Sequence, residues 1–258
     1  GKYLVWSDIP NDRLMRWDAT DGNVSVFQTP CGFHNGHTTD AEGRLVSCEH
    51  GGRRVSRIEH DGTVSVLADR FDGKKLNSPN DLVVKSDGSV WFTDPTYGID
   101  SDYEGHAAPS DIGSSNVYRI APDSGISLVI EDMVQPNGLA FSPDESVLYV
   151  ADTGKTHDPA CEPKIRSYPV SADGTSVGEG TDFVFSEAGL FDGFRLDTNG
   201  NIWSSAGDGV HCFSPEGNLL GKILIPEVVA NLCFMGPKRN RLAICATTSL
   251  YAIYVNAR

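Results

Sequence analysis

The chain has 258 residues, of which 39% are apolar, and 35 acidic against 21 basic residues give it a formal net charge of −14. The apolar fraction excludes a disordered protein, and the length suits one large all-β domain or two ordinary domains. The electrostatic field of a negatively charged protein repels phosphate backbones, so we expect no nucleic-acid partner. Cations and neutral small molecules suit such a surface.

No apolar run approaches the roughly 18 residues of a membrane helix, so no membrane partner is expected either. The six cysteines form no CxxC pair, and neither a zinc site nor a disulfide framework is indicated. The chain shows no signal peptide and opens inside a strand pattern, at "GKYLVWSD". We expect a cytoplasmic protein, with a periplasmic location as the alternative. The sequence does not predict an oligomeric state.

The segment "YLVWSDIPNDRLMRWDATDGNVSVFQ" comes first and reads as strands joined by polar turns. Five further segments each begin with an asparagine or aspartate, followed by a short apolar strand, a polar turn and a second strand. Their first residues are 45, 57, 55 and 39 residues apart: Asn35, Asn80, Asn137, Asp192 and Asn231. Apolar residues alternate with a period of two, and no stretch has helical periodicity.

A repeat of about 40–55 residues with about four strands is typical of a β-propeller blade. We therefore predict an all-β fold, a six-bladed β-propeller, with residues 1–258 as a single domain. Asp8 aligns with Asp94, so the motif residue of the first blade is expected near position −6, before the chain begins. The propeller is accordingly predicted to be truncated at its first inner strand.

The five motif residues begin the inner strands of their blades, so the fold predicts that they form a ring at one mouth of the central channel. The second strand of each blade returns to that face and ends there at Glu49, Asp94 and Asp152. The alternative is structural, because Asn-Gly and Asp-Gly are also ordinary turn formers.

A ring of amide and carboxylate oxygens is what a hard cation such as Ca²⁺ or Mg²⁺ binds, whereas zinc prefers histidine and cysteine. Asp192 carries a charge where the other four motif residues are asparagines, and its neighbours "LF" are apolar. A carboxylate in an apolar channel requires a cation. A cation bound there would polarise a carbonyl, and the carboxylate would serve as general base.

The segments "NSPNDLVV", "VWFTDP", "PNGLAFSPDESVLYVAD" and "FDGFRLDTNGNIWSS" resemble the senescence-marker-protein, gluconolactonase and luciferin-regenerating family, which includes regucalcin. The resemblance covers the whole chain. It is strongest for the bacterial gluconolactonase-like branch, on "CEHGGRRVSR" and "GKKLNSPNDLV". It implies a six-bladed propeller with one divalent ion in the channel, for which Ca²⁺ is favoured and Mg²⁺, Mn²⁺ and Zn²⁺ are alternatives.

The resemblance implies that Asn137 and Asp192 hold the ion and that Asp192 is also the general base. It places Asn80 close to metal and substrate, so Asn80 is predicted as the third residue of the metal site. The family's "EGP" glutamate has no counterpart, because its place falls before residue 1. Ser78 stands where regucalcin-like members carry an arginine, which puts the lactone contacts of that arginine in doubt.

Four residues are further predicted to bind substrate: Asn80, Asn35, Glu49 and His50. For Glu49 and His50 a plain position at the channel rim is the alternative. His34 and His37 are expected to have loop and core roles. Residues 97–113 form an insertion that is either a lid or a long surface loop.

The resemblance, together with these residues, implies a metal-dependent lactone hydrolase acting on a small sugar lactone such as gluconolactone. A metal-bound water suffices as nucleophile, and no GxSxG motif suggests a serine. One alternative is a propeller that binds ligands without turnover. The other is a paraoxonase-like hydrolase of aryl esters or organophosphates.

Overall fold

The computed structural model describes residues 2–257. The chain divides into two compact units, Gly1–Pro136 and Asn137–Arg258. In the part of the chain that is described, no helix has the length and apolarity that crossing a membrane requires.

The first unit contains three antiparallel sheets in the strand orders β1-β2-β3, β4-β5-β6-β7 and β10-β11-β12-β13, with β8 and β9 as a separate pair. A 3₁₀ turn follows β1 at Ile9–Asn11, and a single helical turn, α1, covers Tyr97–Asp100. The strands are β1 (Tyr3–Asp8), β2 (Arg13–Asp18), β3 (Val24–Gln28), β4 (His34–Thr39), β5 (Leu45–Glu49), β6 (Arg54–Ile58), β7 (Val64–Ala68), β8 (Arg70–Phe71), β9 (Lys74–Lys75), β10 (Leu82–Val84), β11 (Val90–Asp94), β12 (Asn116–Ile120) and β13 (Ile126–Ile130).

The second unit also contains three sheets, in the orders β14-β15-β16-β17, β18-β19-β20-β21 and β22-β23-β24. A 3₁₀ turn lies at Gly154–Thr156. The strands are β14 (Pro136–Phe141), β15 (Val147–Asp152), β16 (Lys164–Pro169), β17 (Thr181–Phe185), β18 (Phe194–Leu196), β19 (Ile202–Ala206), β20 (Gly209–Phe213), β21 (Leu219–Leu224), β22 (Val229–Met235), β23 (Arg241–Ala246) and β24 (Leu250–Tyr254).

Six successive antiparallel sheets of three or four strands form the arrangement of a six-bladed β-propeller. The predicted all-β, six-bladed fold is confirmed.

Several hairpin turns share one arrangement, in which an aspartate side chain accepts hydrogen bonds from the residue two positions later. Between β10 and β11, Asp87 Oδ1 accepts from the backbone N–H of Ser89 at 2.8 Å and from its hydroxyl at 2.6 Å. The intervening Gly88 has φ +85°, a conformation that glycine adopts without steric penalty. In these turns the Asp-x-Thr/Ser/Asn pattern marks where the preceding strand ends.

The apolar cores lie between neighbouring sheets of one unit. In the first unit, Val46 and Cys48 of β5 pack with Leu82, Phe92 and Tyr118 from the next sheet. In the second unit a corresponding cluster includes Tyr149, Ile165, Phe191, Phe194 and Phe213. In both clusters a sheet packs against the next sheet of the same unit, and the ends of the strands carry polar groups.

The motif residues lie where each sheet's first strand begins. Asn35 and Asn137 are the second residues of β4 and β14, and Asn231 is the third residue of β22. Asn80 and Asp192 each precede their strands, β10 and β18, by two residues. The predicted placement at the start of an inner strand is confirmed for all five.

Candidate active site

Glycines directly after three motif residues allow backbones to approach closely. In the first unit, Gly36 N–H donates to Asn80 O at 2.8 Å, and a Cβ on Gly36 would lie 2.6 Å from that oxygen. In the second unit, a Cβ on Gly138 would lie 2.1 Å from Asp192 O, and one on Gly193 would lie 2.1 Å from Asn231 Cγ. The glycine after each of these three motif residues is therefore needed for close packing, and not for a turn.

Asn80 is nine-tenths buried yet has an unused side-chain amide. Its backbone N–H donates to Thr93 O at 2.9 Å, and its side chain is 5% exposed. Within residues 2–257 the Asn80 amide has no hydrogen-bond partner. Because no protein group within the described residues occupies this amide, it is a candidate for binding a ligand.

The segment leading to Asn80 is fixed by Asp94 and Ser78. The Asp94 carboxylate accepts the backbone N–H of Asn77 at 2.8 Å and that of Ser78 at 2.9 Å. Burial raises the pKa of Asp94 to about 7, although these hydrogen bonds and Arg53 act to lower it. The Ser78 hydroxyl donates to Pro95 O and accepts from Gly98 N–H. Ser78 therefore anchors the start of the 97–113 insertion.

Asn35 and His50 are brought into contact. Asn35 Nδ2 lies 3.1 Å from His50 Nε2, and His50 Nδ1 lies 3.1 Å from Glu104 O in the 97–113 insertion. Burial lowers the pKa of His50 to about 4, so its ring is neutral near pH 7. The insertion thus packs onto a residue that contacts Asn35.

Glu49 is occupied by partners inside the protein. Its carboxylate lies 2.7 Å from Arg54 Nε and 3.4 Å from His34 Nε2. Burial raises the pKa of Glu49, but hydrogen bonds from His34, Arg54 and Ser56 outweigh it and hold the pKa below its usual range. The substrate role predicted for Glu49 would have to compete with these contacts.

Asn137 and Asp192 lie at adjoining strand starts of the second unit. Asn137 is 6% exposed and donates its Nδ2 to Thr153 Oγ1 at 3.4 Å. The Asn137 Oδ1 has no hydrogen-bond partner among the residues described. Asp192 is partly exposed, and its backbone N–H donates to Ser205 Oγ at 2.8 Å. The contact of Gly138 with Asp192 O holds the two strand starts together.

The donor chemistry fits a hard divalent cation. In the second unit the amide oxygen of Asn137 has no protein partner among the residues described, and the Asp192 carboxylate adds a negative charge. Over residues 2–257, no group of three or more histidine, cysteine, aspartate or glutamate side chains is placed to hold a metal. The ligand set expected from the sequence consists mainly of amides, which differs from a carboxylate or histidine cluster.

Several features of the site were not predicted from the sequence. The close-packing role of Gly36, Gly138 and Gly193, the anchoring of Ser78, and the contact of His50 with Glu104 all depend on residues distant in the chain. The repeated glycine after the motif residue was visible, but in the sequence it was interpreted only as a turn former, as the alternative to a ring of ligands.

The sequence model of the SMP-30/gluconolactonase/LRE-like region matches residues 1–248. A gluconolactonase of Zymomonas mobilis subsp. mobilis is 32% identical over 279 residues, covering 98% of this chain and 75% of that protein.

Two solved structures are similar. A gluconolactonase of Xanthomonas campestris superposes with a TM-score of 0.90 at 39% identity, covering 98% of this chain and 81% of the other. The calcium-binding protein regucalcin of Agrobacterium tumefaciens has a TM-score of 0.76 at 20% identity, covering 96% and 79%, and shows the likeness of fold. The chain therefore belongs to the SMP-30/gluconolactonase/LRE-like family.

Proposed function

We propose that this protein is a metal-dependent lactone hydrolase acting on neutral sugar lactones. The lactone-hydrolysing relatives support the reaction class. The observation that carries the proposal lies in the second unit. The buried Asn137 is at a strand start that packs against the strand start of Asp192, and its amide oxygen has no partner among residues 2–257. An amide oxygen and a carboxylate at adjoining strand starts suit a cation and a general base.

The proposed ion is one divalent cation, with Ca²⁺ favoured over Mg²⁺, Mn²⁺ and Zn²⁺. Asn137 and Asp192 would hold it, and Asn80 is the third residue that the family resemblance assigns to it. When bound, such an ion polarises the lactone carbonyl and offsets the charge of the tetrahedral intermediate.

In the proposed mechanism, Asp192 takes a proton from the water that attacks the lactone carbonyl. The ring C–O bond then breaks, the departing alkoxide oxygen takes up a proton, and a hydroxy acid is released. That acid ionises near neutral pH, so each turnover releases one proton into solution. Asn80 and Asn35 would orient the substrate through their amides.

Proton release from glucono-1,5-lactone in a pH-stat tests this proposal. We expect turnover above the spontaneous rate, loss of that turnover in EDTA, and recovery when Ca²⁺, Mg²⁺, Mn²⁺ or Zn²⁺ is added back singly. A thermal-unfolding scan of the EDTA-treated protein should show a rise in Tm with the same ion, because an ion that binds only the folded state stabilises it.

Turnover that survives EDTA unchanged, with no ion raising Tm, would contradict the metal role. If no lactone is hydrolysed with any ion, a panel of aryl esters and organophosphates decides between another hydrolase and a propeller that binds without turnover.

A further inference from the structure

His50 is fully buried and has both ring nitrogens engaged. Nδ1 lies 3.1 Å from Glu104 O, and Nε2 lies 3.1 Å from Asn35 Nδ2. A carbonyl oxygen only accepts, so Nδ1 must carry the proton that is donated to Glu104. In a neutral ring Nε2 is then an acceptor, and the lowered pKa of His50 keeps the ring neutral.

This assignment fixes the orientation of the Asn35 amide. Only an N–H group can donate to a ring nitrogen that lacks a proton, so Asn35 presents Nδ2 to His50. The Asn35 Oδ1 then faces away from this contact, and it has no hydrogen-bond partner within the described residues. The Asn35 backbone is held separately, since Ser7 Oγ donates to Asn35 O at 2.7 Å.

The insertion leaves the His50 ring little room to rotate. A Cβ on Gly98 would lie 2.5 Å from His50 Cβ, so the Gly98 backbone packs directly on the histidine. The His50 backbone N–H also donates to Phe33 O at 3.0 Å. The His50 side chain is therefore confined by the insertion, and its backbone is held by the segment before β4.

We propose that His50 is a positioning residue that acts through Asn35: it holds the Asn35 amide with Oδ1 directed outward, as the acceptor for a hydroxyl of the lactone. This inference rests on the proposed function. From the sequence, His50 is predicted to bind substrate directly. In this proposal Asn35 contacts the substrate, and His50 acts only by orienting Asn35.

Two substitutions distinguish the roles of the two ring nitrogens of His50. In His50→Gln, the side-chain Oε1 can replace Nε2 as the acceptor for Asn35. In His50→Asn, the side-chain amide can replace Nδ1 as the donor to Glu104 O, but no acceptor reaches Asn35. A hydrogen bond is worth roughly a tenfold change in binding. We expect KM for the lactone to rise about tenfold in His50→Asn and about threefold in His50→Gln, with kcat changed less than about twofold.

A double-mutant cycle supplies the decisive comparison. In an Asn35→Ala background, His50→Asn should raise KM no further, because the residue through which His50 acts is gone. The exposed His60, on the turn between β6 and β7, provides the matched control His60→Asn. Additive effects on KM in the cycle, or equal losses in His50→Gln and His50→Asn, would overturn the proposal.

A measurement without substrate keeps this inference separate from the lactonase proposal. The ¹⁵N shifts of the imidazole ring should report an Nδ1–H tautomer at pH 7, and Asn35→Ala should shift the Nε2 resonance. An Nε2–H tautomer in the wild-type protein would overturn the positioning role whether or not lactones are hydrolysed.

Discussion

Asp192 is the only carboxylate among the five motif residues, and its backbone is held independently of its side-chain charge. Its N–H donates to Ser205 Oγ, and its carbonyl packs on Gly138. Asp192→Asn preserves the size of the side chain and removes the base, so we expect turnover to fall at least about a hundredfold. The free energy of unfolding, measured in urea without added metal, should change by less than about 1 kcal/mol.

Glu187→Gln is the matched control, because it removes the same charge from a side chain that is 82% exposed. We expect that variant to keep its turnover. An Asp192→Asn protein with more than about a tenth of the wild-type turnover would show that another group is the base.

The glycines that follow Asn35, Asn137 and Asp192 explain at the level of single residues why the motif pairs an amide or acid with glycine. Any Cβ at Gly36 or Gly138 would overlap a backbone oxygen of the neighbouring motif, at 2.6 Å and 2.1 Å. A backbone oxygen cannot move aside as a flexible side-chain end can. The residue that binds and the residue that permits the approach are therefore adjacent in the chain.

At the scale of elements, Ser78 joins the insertion of residues 97–113 to the strand segment before Asn80. Its hydroxyl donates to Pro95 O at 2.6 Å and accepts from Gly98 N–H at 2.9 Å. Ser78→Ala would leave both groups without this partner in a buried site, at a cost on the order of 2 kcal/mol. We expect faster amide hydrogen exchange in residues 96–106, measured by mass spectrometry, with little change in the strands.

Ser101→Ala provides the control for this prediction, since Ser101 is exposed and accepts only a 3.3 Å hydrogen bond from Tyr103 N–H. Unchanged exchange in residues 96–106 of Ser78→Ala would mean that the other contacts of the insertion suffice to hold it. Those contacts include His50 with Glu104 O and the edge-to-face packing of Phe33 on His106.

The sequence predicted the strands and turns better than it predicted the contacts between distant residues. Period-two alternation and the polar turns are local signals, so the sheets and the place of each motif residue followed from them. The contact of His50 with Glu104 could not be predicted in this way, because Glu104 is 54 residues away and contributes only a backbone oxygen. The ion pair of Glu49 with Arg54 was likewise not predicted. A carboxylate at a strand end gives the same sequence pattern whether it binds substrate or another protein side chain.

At the scale of the whole molecule, three buried groups link stability to pH. Burial lowers the pKa of His37 to about 3, with a further decrease from His34, and burial lowers the pKa of His50 to about 4. Burial raises the pKa of Asp94 to about 7. The two histidines are neutral and the aspartate is largely protonated in the folded protein over the window from pH 5 to 6.5.

In that window the unfolded chain binds a proton at each histidine below pH 6.5, so these two groups make stability fall as pH decreases. Asp94 acts in the opposite sense, because the folded protein keeps a proton that the unfolded chain has released above pH 3.8. Asp94→Asn removes that opposing group. Between pH 5 and 6.5, the slope of unfolding free energy against pH should therefore become steeper in the variant by up to about 1.4 kcal/mol per pH unit.

Urea unfolding at pH 5.0, 5.5, 6.0 and 6.5, at constant ionic strength, measures both slopes. The comparison between the two proteins cancels the contribution of the net charge of −14, which changes by only one unit in the variant. Equal slopes would mean that the folded protein holds Asp94 ionised throughout, and that the hydrogen bonds from Asn77 and Ser78 outweigh burial at this carboxyl. A steeper slope in Asp94→Asn would mean that burial prevails, and that the segment before Asn80 is held by a protonated acid.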